Sequence, residues 1–423
     1  MRLVRDADCG SLFHYNCPLL PDCTGRHLTD RKRFFFAEGR IDFKEENRSS
    51  DQEGANVTVR KRTDTKESVD YVLLILVLIL VVFGLVVLYS TSAYNGRVKF
   101  ADPAYYLKKQ FFATSIGLMG MYLVSQIDYR RWISAAGIGY GLSLILSTVV
   151  LFVGKEINGS KRWLALGPLS FQPSEFAKLA VVVLLASIVS RNASHMKSWK
   201  YMFLVILQVL PIVGLVGTNN LSTAIIILGI AAILIFIANP RYLPFIGLGG
   251  LGAGFIGIFL SVESYRLERL AIWRHPELYE KGYQTMQGLY AIGSGGIFGV
   301  GLGNSMQKLG FVPEAQNDMI FSIICEEMGL SGAFFVILLF GLLIWRLMVI
   351  STHIPELFGA FLAAGVMGHI MIQVILNIAV VTNTIPNTGI TLPFISYGGT
   401  SVVFLLAEIG LILNVSRHMK KEH

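Results

Sequence analysis

Long hydrophobic runs dominate the chain from Tyr71 onward, whereas residues 1–70 mix charged and polar residues without a periodic apolar pattern. Each run approaches the ~20 residues that an α-helix needs to cross the hydrocarbon core of a bilayer. We therefore expect an all-α, polytopic integral membrane protein. The runs predict ten spans, near residues 71–91, 109–126, 133–153, 175–190, 202–217, 221–238, 244–262, 331–349, 358–381 and 399–415.

The charge distribution separates residues 1–70 from the rest of the chain. Lysine and arginine balance aspartate and glutamate within residues 1–70, so the net charge of +8 belongs to the remainder. This composition predicts a disordered cytoplasmic tail at 1–70. The alternative is that part of it is an upstream extension from a misplaced start codon. A membrane domain is expected at 71–417, followed by a short cytoplasmic tail at 418–423.

The positions of basic residues predict the orientation of the spans. An even number of spans puts both termini on one side, and flanking basic residues mark that side as cytoplasmic. Outer basic residues that break this rule, such as Lys161 and Arg162, are candidates for function. No basic run is interleaved with aromatic residues, so we expect no nucleic-acid partner. The residues that indicate the cytoplasmic side are Arg130, Arg131, Arg191, Lys197, Lys200, Arg241, Arg346 and 417–421.

The longest predicted loop, about 263–330, is extracytoplasmic and unusually acidic for this chain. Its Gly-rich stretch 291–303 is unsuited to a plain helix, and its apolar content predicts amphipathic and re-entrant helices at the membrane surface. Close helix packing is a more typical role for such glycines than a phosphate cradle. No zinc or disulfide framework is expected from Cys9, Cys17, Cys23 and Cys325.

Asp318 stands out in this loop. Helical spacing would place Asp318, Ser322 and Cys325 on one face, with Glu326 nearby. A carboxylate at the bilayer surface faces a cavity or a partner, because exposure to lipid is costly. Partial burial would raise its pKa toward a value that suits a general base. The residues alone leave a second interpretation open, in which Asp318 pairs with an arginine for structure.

Two further stretches carry candidate chemistry. In 158–180, Lys161, Arg162 and Trp163 precede the pair Glu175 and Lys178, which has i, i+3 spacing. A lysine near arginine and tryptophan can bind a diphosphate at the interface, whereas a Glu–Lys pair at a helix start is often only structural. The stretch 383–401 is a Pro- and Gly-broken loop, with a simple re-entrant turn as the plainer interpretation.

These stretches resemble the SEDS family (shape, elongation, division and sporulation), whose members include FtsW, RodA and SpoVE. The resemblance covers residues 70–417, and the residues of its motifs are closer to those of FtsW and SpoVE than to those of RodA. Two departures are the stretch 218–224, which lacks a carboxylate present in many members, and Gly288, which replaces a usual serine. Four motifs match in order: "RWLALGPLSFQPSEFAKL", "GYQTMQGLYAIGSGGIFGVGLGNSMQK", "PEAQNDMIFSIICEEMGLSGA" and "TGITLPFISYGGTS".

The resemblance implies a peptidoglycan glycosyltransferase that polymerises lipid II, a disaccharide-pentapeptide carried on undecaprenyl diphosphate, for the division septum or the spore wall. It implies that Asp318 is the catalytic general base. The loop 386–398 is expected to shape the lipid-binding cavity. The substrate-binding residues predicted with it are Trp163, Glu175, Lys178, Arg266, Arg269, Lys308, Glu314, Pro393, Ser396 and Gly398.

The same resemblance implies a cellular location and protein partners. It predicts a multi-pass protein of the bacterial plasma membrane that works with a class B penicillin-binding protein transpeptidase and with divisome proteins. No cofactor is required by the sequence; a divalent cation, magnesium or manganese, would suit the diphosphate, but no ligand cluster demands one. Two other functions stay open at this point, a lipid II flippase and a non-catalytic divisome scaffold.

Overall fold

The computed structural model describes residues 69–157, 160–166, 169–239 and 270–419, with six isolated positions between 247 and 257. Within these ranges the chain is predominantly helical, as expected. The helices are α1 (Tyr71–Phe100), α2 (Tyr105–Gln126), α3 (Arg131–Val153), α4 (Pro173–Arg191), α5 (Trp199–Asn219), α6 (Leu221–Ala238), α7 (Tyr283–Ser294), α8 (Ile320–His353), α9 (Leu357–Val381) and α10 (Gly399–Ser416). Short 3₁₀ turns lie at His195–Lys197, Pro276–Leu278 and Glu280–Gly282.

Eight of the helices in these ranges are long and apolar enough to cross a membrane, namely α1, α3 to α6 and α8 to α10. Helix α2 has 22 residues but lies below that hydropathy, because Lys108, Lys109 and Gln110 occupy its first turns. The expectation of an all-α polytopic membrane protein is therefore confirmed. The predicted span at 244–262 lies outside the continuously described ranges.

The ends of the described chain meet at one face of the helical body. The Asp70 backbone N–H donates to Ser416 Oγ at 3.2 Å, and the Asp70 carboxylate pairs with Arg346 at 2.7 Å. The same carboxylate caps α1 through the Leu73 N–H, at 2.9 Å. We call this the terminal face. Asn239, just after α6, is tied to the turn between α4 and α5, because its side chain donates to the Met196 carbonyl at 2.9 Å.

The opposite face, called here the site face, carries a small sheet that the all-α expectation did not include. Strands β1 (Lys155–Ile157), β2 (Ser160–Leu166) and β3 (Leu169–Phe171) form an antiparallel meander in that order. Arg162 Nε donates to the Asn219 carbonyl at 2.7 Å, and Asn219 Nδ2 donates to the Lys161 carbonyl at 2.8 Å. These bonds hold β2 at the end of α5.

Helix α8 is broken at Gly329, where the backbone adopts φ 67° and ψ −161°. The break frees four backbone groups that a continuous helix would pair with each other. The Gly-rich segment supplies the missing partners: the carbonyls of Glu326 and Glu327 accept from the N–H groups of Val300 and Gly301, each at 2.9 Å. The N–H groups of Leu330 and Ser331 donate in turn to the carbonyls of Gly296 and Ile297, at 2.9 and 3.0 Å.

This exchange explains the composition of the stretch 291–303. Two backbones can approach to hydrogen-bonding distance only where no side chain intervenes. A Cβ at Gly299, whose φ is +78°, would lie 2.2 Å from the Glu327 carbonyl oxygen. The prediction that these glycines are unsuited to a plain helix and allow close packing is confirmed, whereas the break in α8 was not predicted.

Candidate active site

Asp318 lies in the turn that leads into α8 on the site face, and its side chain is half-buried. One carboxylate oxygen, Oδ1, accepts from Gln284 Nε2 of α7 at 3.3 Å. The backbone carbonyl of Asp318 accepts from Asn377 Nδ2 of α9 at 2.9 Å. The carboxylate therefore stands between the acidic motif and the Gln-containing motif of α7, and its backbone is tied to a third element.

The helical face predicted for Asp318, Ser322 and Cys325 is wrong at its first member. Helix α8 begins at Ile320, so Asp318 is not part of it and does not follow its periodicity. Glu314, which precedes it by four residues, has a left-handed backbone with φ 53°. Such a conformation ends regular structure, and the segment runs as successive turns up to Met319.

The broken loop 382–398 closes over this turn and is held by side chains from two helices. Ser222 Oγ of α6 donates to the Thr388 carbonyl at 2.7 Å. On α9, Gln373 Nε2 donates to the Thr391 carbonyl at 3.0 Å, and Asn377 Nδ2 to the Ile390 carbonyl at 2.7 Å. A Cβ added at Gly389, with φ +70°, would lie 3.9 Å from Asp318 Oδ2. The loop thus forms one wall beside the carboxylate.

Pro393, Ser396 and Gly398 shape this loop from within. Ser396 Oγ accepts from the Leu392 N–H at 2.8 Å, and the Pro393 carbonyl accepts from the Ile395 N–H at 2.8 Å. The Gly398 N–H donates to Gln110 Oε1 of α2 at 3.1 Å. These contacts hold the loop in one conformation; its predicted role in shaping a lipid-binding cavity and direct substrate contact by the three residues stay predictions.

Tyr397 joins the loop to the acidic turn, a contact that the sequence reading missed. Its N–H donates to the Gln316 carbonyl at 2.9 Å, and its ring meets Tyr106 edge-on with centroids 5.1 Å apart. Burial, reinforced by Tyr105, Tyr106 and Glu314, raises the pKa of Tyr397 to about 12. The phenol is therefore neutral at physiological pH.

Lys178 and Glu175 form a buried pair inside the helical body. Their charged atoms lie 3.0 Å apart, with 2% and 9% of the respective side chains exposed. Lys178 Nζ also donates to Gln373 Oε1 at 3.1 Å. The same oxygen lies 3.0 Å from His369 Nε2, while His369 Nδ1 lies 2.8 Å from Glu408 Oε2. Lys178 is thus one member of a polar network that the sequence analysis did not foresee beyond Glu175.

These contacts make a sharp prediction for Lys178 and Glu175. Lys178→Met and Glu175→Gln should each lower the free energy of unfolding by roughly 3–5 kcal/mol, because each leaves one buried partner uncompensated. The double variant should lose less than the sum. Thermal unfolding of the detergent-purified variants measures this, with Lys281→Met in the exposed loop as the control. Additive losses would contradict a structural pair and favour the predicted diphosphate contact.

Lys308 also faces a carboxylate. Its Nζ lies 2.5 Å from Glu327 Oε1 and donates to Ser90 Oγ of α1 at 3.0 Å. The neighbouring Glu326 carboxylate accepts from Ser305 Oγ and from the Met306 N–H, the latter at 2.9 Å. The side chains that form these contacts are all buried, namely Ser305 and Lys308 of the loop and Glu326 and Glu327 of α8. The two acids of α8 therefore hold the Gly-rich loop.

The remaining predicted residues lie apart or outside the described chain. Glu314 is half-exposed and lies 3.8 Å from Lys99 Nζ, and Asn317 Nδ2 donates to it. Trp163 lies on β2 opposite Lys155. Arg266 and Arg269 lie outside the described residues. In the part of the chain that the structure describes, no three His, Cys, Asp or Glu side chains form a group that could hold a metal ion.

Residues 70–421 match the family model of the cell cycle proteins FtsW, RodA and SpoVE. Among curated relatives, stage V sporulation protein E of Bacillus subtilis is 39% identical over 85% of this chain and 100% of the relative. A probable peptidoglycan glycosyltransferase FtsW of Haemophilus influenzae is 37% identical over 82% of this chain and 90% of the relative.

Solved structures show the same similarity. One is a chain from a peptidoglycan synthase complex described as coordinating polymerization and crosslinking; it has a TM-score of 0.70, 32% identity and coverage of 83% of this chain and 98% of that one. Another is the rod shape determining protein RodA of Thermus thermophilus, with a TM-score of 0.63, 30% identity and coverage of 84% and 99%.

Proposed function

This chain belongs to the FtsW, RodA and SpoVE family of cell cycle proteins, and from that premise we propose that it is a peptidoglycan glycosyltransferase that polymerises lipid II. Family membership supports the activity, since similar relatives are named as such enzymes. The observation that carries the site is the convergence of three separate motifs on one carboxylate. Asp318 belongs to the turn 313–319. Its carboxylate accepts from Gln284 of α7 and lies beside Gly389 of the loop.

In the proposed reaction Asp318 is the general base. It takes the proton from the 4-hydroxyl of the acceptor sugar as that oxygen attacks the anomeric carbon of the donor. The bond between this carbon and the diphosphate breaks with inversion, and undecaprenyl diphosphate leaves with the bonding electron pair. Gln284 orients the carboxylate through its hydrogen bond to Oδ1. A positioned base contributes about 10²–10⁴-fold to such a step.

The leaving diphosphate needs cationic partners for the charge that develops on it. Lys178 and Lys308 are each buried against a glutamate, which supports a structural role for both. The diphosphate contact therefore falls to Arg266 and Arg269 in this mechanism. A divalent cation would neutralise the diphosphate when bound; no described cluster of acids or histidines supplies it with ligands.

A class B penicillin-binding protein transpeptidase is the proposed partner. The similarity to a chain of a peptidoglycan synthase complex supports this assignment. Polymerisation and crosslinking act on the same glycan strand, so a shared complex brings the two reactions together. The decisive experiment incubates the purified full chain, with and without this partner, with lipid II and resolves glycan strands on a gel. Transport of lipid II across vesicles without strand formation would instead favour a flippase.

The proposed orientation puts the terminal face in the cytoplasm and the site face outside. In a background free of native cysteines, Glu280→Cys should react with an impermeant thiol reagent in intact cells, because residue 280 is exposed in the outer loop. Lys420→Cys should react only after permeabilisation. The cysteine-free protein is the control, and labelling of residue 420 in intact cells would reverse the orientation.

A further inference from the structure

Helix α9 carries a stripe of polar side chains that no step of the proposed mechanism uses. His369, Gln373 and Asn377 follow one another at i, i+4 and i+8, so they lie on one face of the helix. All three are nearly inaccessible, with 1%, 2% and 0% of their surface exposed. Polar residues inside a membrane-spanning helix are costly, and they are kept where they serve a site.

Asn377 differs from the other two because it binds both the turn that holds Asp318 and the loop 382–398. Its Nδ2 donates to the Asp318 carbonyl at 2.9 Å and to the Ile390 carbonyl at 2.7 Å. A carboxamide nitrogen has two hydrogens, so the two bonds use its full donor capacity. The reverse orientation of the amide would press its oxygen against two carbonyl oxygens, and the contacts therefore fix the orientation.

We propose that Asn377 is a positioning residue for the reaction, whose carboxamide joins the backbone of Asp318 to that of Ile390 and so sets the Asp318 carboxylate against the loop wall. The proposal rests on the proposed function, because it needs Asp318 to be the base. Asn377 is fully buried and reaches the reacting group only through the Asp318 backbone, so the proposal gives it no contact with substrate.

The bonds of Asn377 should affect the catalytic rate more than the affinity for substrate, because they position the Asp318 carboxylate. Asp318 lies just before α8 begins at Ile320, so helical hydrogen bonds do not fix its backbone. Gly389, next to Ile390, is the loop residue whose added Cβ would come within 3.9 Å of the carboxylate. Without Asn377 the turn and the loop lose their shared donor, and a displacement of 1 Å at a catalytic group can cost about 10²-fold in rate.

Gln373, another residue of the stripe, also binds the loop 382–398. Gln373 donates to the Thr391 carbonyl, one residue beyond Ile390, at 3.0 Å. Its amide oxygen accepts from Lys178 at 3.1 Å and faces His369 at 3.0 Å. Gln373 therefore fixes the loop to the buried network but makes no bond to the acidic turn. Only Asn377 of the stripe bridges the turn and the loop, which is why it carries the proposal.

The test compares Asn377→Leu with Asn414→Leu, a matched change on α10 at the terminal face. Asn414 is also buried and also makes two bonds, accepting from the Tyr129 N–H at 2.9 Å and donating to the Ser125 carbonyl at 2.8 Å. Both variants should lose stability, so rates are referred to the folded fraction, measured by size exclusion. Asn377→Asp, which keeps the side-chain shape, is the second variant should the leucine protein fail to fold.

For glycan-strand synthesis from lipid II, we expect the kcat of Asn377→Leu to fall about 10²-fold, with KM changed less than about threefold. Asn414→Leu should keep the wild-type kcat. In an Asp318→Asn background, adding Asn377→Leu should cause no further loss, because the two residues act through one group. Amide hydrogen exchange in 314–319 and 386–392 should also rise in Asn377→Leu and stay unchanged in Asn414→Leu.

Three results would overturn the proposal, and they are distinguishable. A wild-type kcat in both Asn377 variants, together with an inactive Asp318→Asn protein, would remove the positioning role and leave the base intact. A wild-type rate in Asp318→Asn would remove the base assignment and with it the positioning role. A further loss of the same size on adding Asn377→Leu to Asp318→Asn would show that Asn377 acts independently of Asp318.

Discussion

Replacing Asp318 with asparagine is expected to lower glycan-strand synthesis by about 10²–10⁴-fold. The amide cannot take the acceptor proton at neutral pH. Its oxygen can still accept from Gln284, and the backbone carbonyl still accepts from Asn377. The described contacts of Asp318 therefore survive the change, and the loss should appear in kcat with little change in folding, membrane insertion or partner binding.

Two further carboxylate variants accompany this prediction. Glu277→Gln alters an exposed carboxylate beside His275 and should keep the wild-type rate. Asp318→Glu should recover little activity, because one added methylene moves the carboxylate by about 1 Å. A near wild-type rate for Asp318→Asn would rule out a base at this position and return the flippase and scaffold functions to consideration.

Replacing Gly299 with alanine is expected to have a large effect on folding. The added Cβ would lie 2.2 Å from the Glu327 carbonyl oxygen, and the backbone already has φ +78°. The clash separates the Gly-rich segment from the break in α8, so the carbonyls of Glu326 and Glu327 lose their donors. Unpaired backbone groups cost about 1–3 kcal/mol each when buried, and the yield of folded protein should fall several-fold.

Two neighbouring glycines separate the causes of this effect. Gly293 lies in α7 with nothing within 4 Å of an added Cβ, so Gly293→Ala should be neutral or slightly stabilising. Gly296 has φ +54° and equally open space, so Gly296→Ala should lose only the ~1–2 kcal/mol of left-handed strain. Thermal unfolding in detergent gives the order, and equal stability of Gly299→Ala and Gly296→Ala would contradict the close backbone approach.

Contiguous residues were enough to predict an all-α, multi-pass membrane protein. Hydrophobicity over about 20 residues is a local property, and the runs near 133–153, 221–238 and 358–381 appear as α3, α6 and α9 close to their predicted limits. The motifs likewise singled out Asp318 through its resemblance to a known family. The sheet at residues 155–171 was missed, because its strands of three and seven residues are too short for a reliable pattern of alternation.

Local periodicity failed where the backbone departs from its regular form. The helical spacing from Asp318 to Cys325 is present in the sequence, but the helix starts at Ile320. The start is decided by the turn at Glu314 and by the bonds that 316 and 318 make to Tyr397 and Asn377. A break such as that at Gly329 is equally invisible locally, since its cost is offset by a segment about 30 residues earlier in the chain.

The sequence by itself determined the class of the protein, the number of apolar runs and the candidate base, because each depends on neighbouring residues or on a contiguous motif. Only the tertiary structure decided what the charged and polar side chains do. Lys178 meets Gln373, which is 195 positions away, and Asn377 meets Asp318 across 59 positions. In a low-dielectric interior, the role of a buried charge or amide depends on the partner that forms its ion pair or hydrogen bond. These partners are distant in the sequence, and only folding brings them together.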